Sequence, residues 1–213
     1  SMVDYRAMHH AGHILTVEDP IEYHFTHGKS SVDQREVGID THSFADALRN
    51  AMRQAPDMIV IGEIRDRETM QQAIAYAETG HLCVTTLHAA NAGQAIKRIL
   101  NFFPEPAHKQ LLMDLSLNLK GMISQRLLPR EEGKGRIAAV EILLNTPLIA
   151  ELIFKGEVAE MKDLMKRSRE LGMQTFDQAL FDLYESNLVT YEDILRNADS
   201  VNEIGRASCR ERV

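Results

Sequence analysis

Tryptophan is absent and cysteine nearly so, with only Cys83 and Cys209 in 213 residues. Two thiols so far apart exclude a disulfide framework and a four-thiolate zinc site, and they suit a reducing compartment. No apolar run approaches the ~18 residues that suggest a membrane span. A basic excess is missing too. The formal net charge is −7, so nothing in the balance favours nonspecific binding to nucleic acid, and no nucleic-acid partner is expected. There is no internal repeat and no low-complexity stretch. The phosphate-binding pattern Gly-x-x-x-x-Gly-Lys-Ser/Thr is absent as well. Gly28-Lys29-Ser30 imitates its end, but Tyr23 stands where the first glycine is needed.

What is present is an ordinary globular mixture, 44% hydrophobic and 26% charged, long enough for a real core. The opening residues read as the middle of a helix without a cap, so a truncated start is expected. The last nine, Gly205 to Val213, are basic and aperiodic, and are expected to be a non-native tail.

Ile14-Leu15-Thr16-Val17 reads as a buried strand ended by Glu18-Asp19-Pro20. Val32 to Val37 reads as a second, more polar strand. Phe44 to Ala55 has helical periodicity, with Phe44, Ala47, Leu48, Ala51, Met52 and Ala55 on one face. Met58-Ile59-Val60-Ile61 lacks polar alternation, as in a strand covered on both faces of a parallel sheet. Asp66 caps a helix to Thr79, and Leu82 to Leu87 is the next strand. This alternation predicts an α/β domain. Helical patterns follow over 92–102 and 105–124. A hairpin then joins Arg126-Leu127-Leu128 to Arg136–Leu143, and helices fill 147–155, 158–171, 175–187 and 191–198. The expected organisation is a core over 1–145, a helical region over 146–204 and the tail 205–213.

Each candidate functional group has a plain structural reading beside the chemical one. Glu63, after an apolar strand and Gly62, has Walker-B character: a stiff strand delivers a carboxylate to a sheet edge where phosphates bind. Many buried strands end in an acid, however. Glu18-Asp19 ends a second strand, either as a loop cap or as part of a shared metal or water site. His81 and His88 bracket one strand and read as structural histidines or as phosphate contacts. Arg35, Arg49, Arg53 and Arg65 form a basic set, either a solvated face or a phosphate clamp. His9, His10, His13, His24 and His27 match no compact zinc spacing.

Together these motifs are far more specific. Ile14 to Tyr23 resembles the Asp box of the type II/IV secretion ATPases, Asp57 to Thr69 resembles their Walker B, and Ala77 to Ala89 resembles their His box. Gln34-Arg35-Glu36 and the Arg49/Arg53 helix match the arginine-bearing segment between the boxes. The resemblance runs from Ile14 to Asp199. Within that family the chain is similar to the PilT and PilU retraction motors of type IV pili, more so to PilU through Arg65–Met70 and Gly172–Leu180. Ser124-Gln125-Arg126-Leu127 runs into a short loop, without the four-cysteine module usual in assembly ATPases.

The resemblance implies an incomplete RecA-like P-loop NTPase core followed by a helical C-terminal region. It implies a hexameric ATPase using ATP and Mg²⁺, acting in pilus retraction and twitching motility. Residue by residue it makes Glu63 the water-polarising glutamate, Glu18 a Mg²⁺ or water ligand with Glu63, and His81 and His88 the His box. Arg35, Arg49 and Arg53 become candidates to reach nucleotide. Implied partners are further copies or a PilT-like ATPase, and an inner-membrane pilus platform protein. The implied place is cytoplasmic, peripheral to the inner membrane. The phosphate-binding loop is expected before residue 1, so the chain alone is expected to be inactive. The PilT-type Ala-Ile-Arg-Asn-Leu-Ile-Arg-Glu segment corresponds to Leu148–Lys155, where Ala150 and Phe154 replace both arginines. That departure suits a non-hydrolysing accessory subunit; a zinc-less secretion ATPase is the third reading.

Overall fold

The computed structural model describes residues 2–201, and the expected tail 205–213 lies outside them. The chain divides into two compact units, Ser1–His88 with Asn101–Glu105, and Ala89–Leu100 with the chain from Pro106 onward.

The first unit opens with helix α1 (Met2–His9) and strands β1 (Gly12–Glu18) and β2 (Ser30–Glu36). Helix α2 (Phe44–Ala51), strand β3 (Met58–Ile61), helix α3 (Arg67–Glu78) and strand β4 (Leu82–Thr85) follow. The four strands form one parallel sheet in the order β2-β1-β3-β4. β1 and β3 take the middle because each carries an apolar run covered on both faces: Ile14, Leu15, Val17, Ile59 and Ile61 are fully buried. Ile14, Val32 and Met58 meet Val3 and Ala7 of α1 in one cluster. Ser43 caps α2 and Asp66 caps α3, each accepting a backbone N–H from three residues on. The Tyr76 hydroxyl of α3 donates to the Leu48 carbonyl of α2, tying the two helices together.

Two boundaries differ from the sequence reading here. The helix expected to reach Ala55 stops at Ala51. A 3₁₀ turn carries the chain to Gln54, and Ala55 turns left-handed at φ 46°. The strand expected to reach Leu87 ends at Thr85 because β3, its pairing partner, ends opposite at Ile61.

The second unit contains α4 (Ala92–Asn101), α5 (His108–Asn118), β5 (Gly121–Pro129), β6 (Arg136–Leu144), α6 (Pro147–Lys155), α7 (Met161–Arg167), α8 (Phe176–Glu185) and α9 (Tyr191–Asn197). The helix expected over 105–124 ends at Asn118, and a nine-residue antiparallel ladder with β6 begins at Gly121. Long-range pairing decides that segment, and the exposure along β5 alternates as in a half-covered strand. The helix expected over 158–171 is α7 flanked by two 3₁₀ turns. Leu128 and Ala139 of the hairpin pack with Phe176, Ala179, Leu180, Val189 and Ile194. Hairpin and terminal helices therefore share a core. The division between units accordingly falls at 88/89, not at the 145/146 boundary expected from the sequence.

Candidate functional site

In a parallel sheet every strand ends at the same edge, and loops leaving that edge can converge on one ligand. In the first unit that edge carries Glu18 and Asp19 after β1, Glu63 after β3, and Thr86 and His88 after β4. The strand register sets the approach, with Val17 opposite Ile61 and Ile61 opposite Thr85. Gly62 is what lets the rows close. Its amide donates to the Val17 carbonyl at 2.8 Å, and a Cβ there would sit 3.2 Å from that oxygen and 3.3 Å from the Glu18 Cα. The Thr86 hydroxyl donates to the Gly62 carbonyl from the other side.

Both oxygens of Glu63 are engaged. Arg65 Nη2 donates to Oε1, and His88 Nε2 lies 3.1 Å from Oε2. Glu63 is only 16% exposed, whereas His88 and Arg65 face solvent. The Arg65 guanidinium holds the Glu63 carboxyl below its ordinary value. Burial pushes the other way, and His88 adds to the downward pull. Arg65 also approaches Asp19, with Nη1 3.8 Å from Oδ2.

Glu18 is placed differently. Thr16 Oγ1 donates to its Oε1 at 2.7 Å and Gln34 Nε2 at 3.0 Å. Thr16, Gln34 and Glu18 share one face because alternate residues of paired strands point the same way. Among the described residues nothing hydrogen-bonds to Oε2 of Glu18.

The structure thus brings Glu63 and His88 into contact and sets Glu18 at the same edge. It does not bring His81 there. His81 precedes β4, at the opposite end of the strand, where Nδ1 lies 3.0 Å from Thr79 Oγ1 and the ring packs edge-on against Tyr76. Arg49 pairs with Asp46 at 3.2 Å and Glu68 at 4.0 Å on exposed helix surface. Arg53 lies exposed on the 3₁₀ turn leading to the starting end of β3. Arg35 pairs in register with Val17, on the face opposite Glu18. None of the three arginines contacts Glu63 or Glu18 among the described residues.

Three further residues, Arg65 from the basic set and Thr16 and Gln34, shape the site. Arg65 was visible as part of a basic set, and its spacing of two from Glu63 just before the Asp66 cap was the available signal. Thr16 and Gln34 carry no signal without the β1–β2 register.

A magnesium ion takes one or two carboxylates and completes its shell with water and phosphate oxygens. Among the described residues no three His, Cys, Asp or Glu side chains converge into a closed metal cage. The donor set fits magnesium in the open manner: Glu18 keeps one oxygen available, and Glu63 is partnered by Arg65, a cation that a metal can replace.

The family model described as "Type II/IV secretion system protein" matches residues 4–196. The chain belongs to that family. The Pseudomonas aeruginosa type IV pilus ATPase PilU is 60% identical over 204 residues, covering 96% of this chain and 53% of that protein. The PilT retraction ATPase of the same organism is 42% identical, covering 93% and 57%. The crystal structure of the pilus retraction motor PilT with bound ADP superposes with a TM-score of 0.89 at 46% identity, covering 97% of this chain and 58% of that one. The Legionella pneumophila ATPase DotB superposes at 0.80 with 25% identity, covering 91% and 54%. The chain therefore spans about half the length of the relatives it matches, and within that half its α/β architecture is the family's.

Proposed function

We propose that this chain is the C-terminal part of a nucleotide-hydrolysing motor subunit that drives type IV pilus retraction and twitching motility. The family supports the general class. The observation that carries the catalytic reading is Glu63, sheltered at the sheet edge with Arg65 on one oxygen and His88 on the other. In hydrolysis the Glu63 carboxylate orients the attacking water and takes its proton as the water oxygen bonds to the γ-phosphorus and the β–γ bridge breaks. His88 fixes the direction of that carboxylate. Glu18 and Glu63 are the residues that would hold Mg²⁺, which supplies charge neutralisation for the phosphates when bound. Arg35, Arg49 and Arg53, which contact neither Glu63 nor Glu18 among the described residues, are proposed to serve a neighbouring copy in a ring. His81 stays a proposed contributor only through such a neighbour.

Turnover needs backbone amides that cradle phosphate, and the sequence has no such loop. The 213-residue chain alone is expected to hydrolyse no ATP. In a chain extended to the length of its relatives, Glu63→Gln should keep nucleotide binding and slow hydrolysis by roughly 10²-fold or more. Wild-type turnover in that variant removes Glu63 from the mechanism. Among the described residues no helix is long and apolar enough to cross a membrane. We place the subunit in the cytoplasm, held at the inner membrane by a pilus platform protein.

A second reading is favoured by one observation. Phe154, half exposed on α6, and Ala150 stand where the resemblance to PilT-type motors implies arginines. On this reading the subunit docks on a PilT-like hexamer without hydrolysing ATP itself. Coassembly with such a hexamer, together with no turnover in the extended chain, selects it.

A further inference from the structure

Carboxylates at the ends of neighbouring strands repel unless a cation lies between them. At the Glu63 edge the chain supplies that cation itself. Arg65 leaves the strand end just ahead of the α3 cap and folds back. One nitrogen donates to Glu63 Oε1, and the other lies 3.8 Å from Asp19 Oδ2. With His88 on Oε2, neither Glu63 oxygen is open to a newcomer. The arrangement is asymmetric in a telling way: Glu63 is 16% exposed, while the Arg65 side chain above it is 61% exposed. The anion is built into the edge and the cation can swing away from it. Exposed arginine pairs of this kind are weak and readily exchanged.

We propose that Arg65 is a displaceable resident cation. Its guanidinium, lying between Glu63 and Asp19, competes with a divalent metal for the Glu63 carboxylate, and its withdrawal opens that carboxylate. Arg65 is thus a positioning residue that keeps the edge closed until a metal competes for it. The inference rests on reading this edge as a metal–nucleotide site. It makes a claim that reading alone does not make, namely that removing a positive side chain improves cation binding at one identified carboxylate and that a lysine restores the block only in part. A lysine keeps the charge but presents a single point donor in place of the two-pronged fork.

The test uses the 213-residue chain with Mn²⁺ as probe. Affinity is read by calorimetry, and location by paramagnetic broadening of the His88 ring resonances. Arg65→Gln should bind Mn²⁺ roughly threefold to tenfold more tightly than wild type, the range expected from removing weak exposed ion pairs. His88 should broaden, and Arg65→Lys should fall between the two. Adding Glu63→Gln to Arg65→Gln should abolish the gain, and Lys155→Gln, an equal loss of positive charge on exposed α6, should produce none, which separates the site from a general change in net charge. If Arg65 is merely a loop staple, Arg65→Gln lowers the melting temperature without tightening Mn²⁺, and the inference is overturned. Equal affinity in wild type and Arg65→Gln, with His88 broadened in both, overturns it while leaving the metal reading intact. Absence of binding near His88 in every variant overturns both.

Discussion

Glu141 offers a quantitative test of how the second unit is held together. It sits on β6, only 3% exposed, and its Oε1 accepts the Ala92 N–H that opens α4 at 2.7 Å, with Ser124 Oγ at 3.4 Å. Burial pushes its carboxyl upward from the ordinary value. The Ala92 N–H opposes that, nearby Asp199 adds to it, and Ser124 and Arg126 pull back more weakly. A carboxyl raised in the folded state holds its proton to higher pH than the same group in the unfolded chain. Between the ordinary value and the raised one the folded chain therefore binds more protons, and stability from this group falls as pH rises. That stability is fully present below the ordinary value. Glu141→Gln keeps an oxygen for Ala92 and removes the charge, so it should cost nothing at pH 7 and flatten the decline. Glu141→Ala leaves the buried Ala92 N–H without an acceptor and should cost about 1–3 kcal/mol. Urea unfolding followed by circular dichroism from pH 5 to 8 measures all three chains, and exchange of the Ala92 amide locates the effect. The reasoning fails if Gln is as destabilising as Ala at pH 7, or if wild type gains on Gln as pH rises.

Other outcomes follow from the same structure. Asp177, 5% exposed, accepts from Lys162 at 2.9 Å and from the Asp199 amide at 2.8 Å, so Asp177→Ala should lower stability by about 2–3 kcal/mol in denaturant titration. Cys83 is half-buried on β4, and desolvation pushes its thiol up to about 12. With Cys209 changed to Ser, the native chain should therefore react with a thiol reagent at pH 7 far more slowly than the urea-unfolded chain, and equal rates refute its shielding. Phe154→Arg on the exposed face of α6 should change stability by no more than about 0.5 kcal/mol in the same titration, a larger loss meaning that Phe154 packs against the protein.

Much of the first unit was legible because its signals are local. Apolar Met58–Ile61 has few alternatives to a doubly covered strand, and Asp66, three residues before Thr69, announces a cap. The hairpin was legible only in part. Gly121–Ser124 continues a helical pattern, and it becomes strand because Leu144 back to Glu141 pairs with it from twenty residues away.

The order of the boxes, the missing phosphate loop and the identity of Glu63, Glu18 and His88 as candidates were fixed by the residues themselves, since strand ends and motif spacings are properties of neighbouring positions. Which of the candidates meet was decided only by tertiary structure. Strand direction sends His88 to the Glu63 edge and leaves His81 at the other end. Register, not spacing, aims Thr16 and Gln34 at Glu18. Arg65 joins Glu63 to Asp19 because the parallel pairing of β1 with β3 brings together two acids that lie more than forty positions apart in the chain.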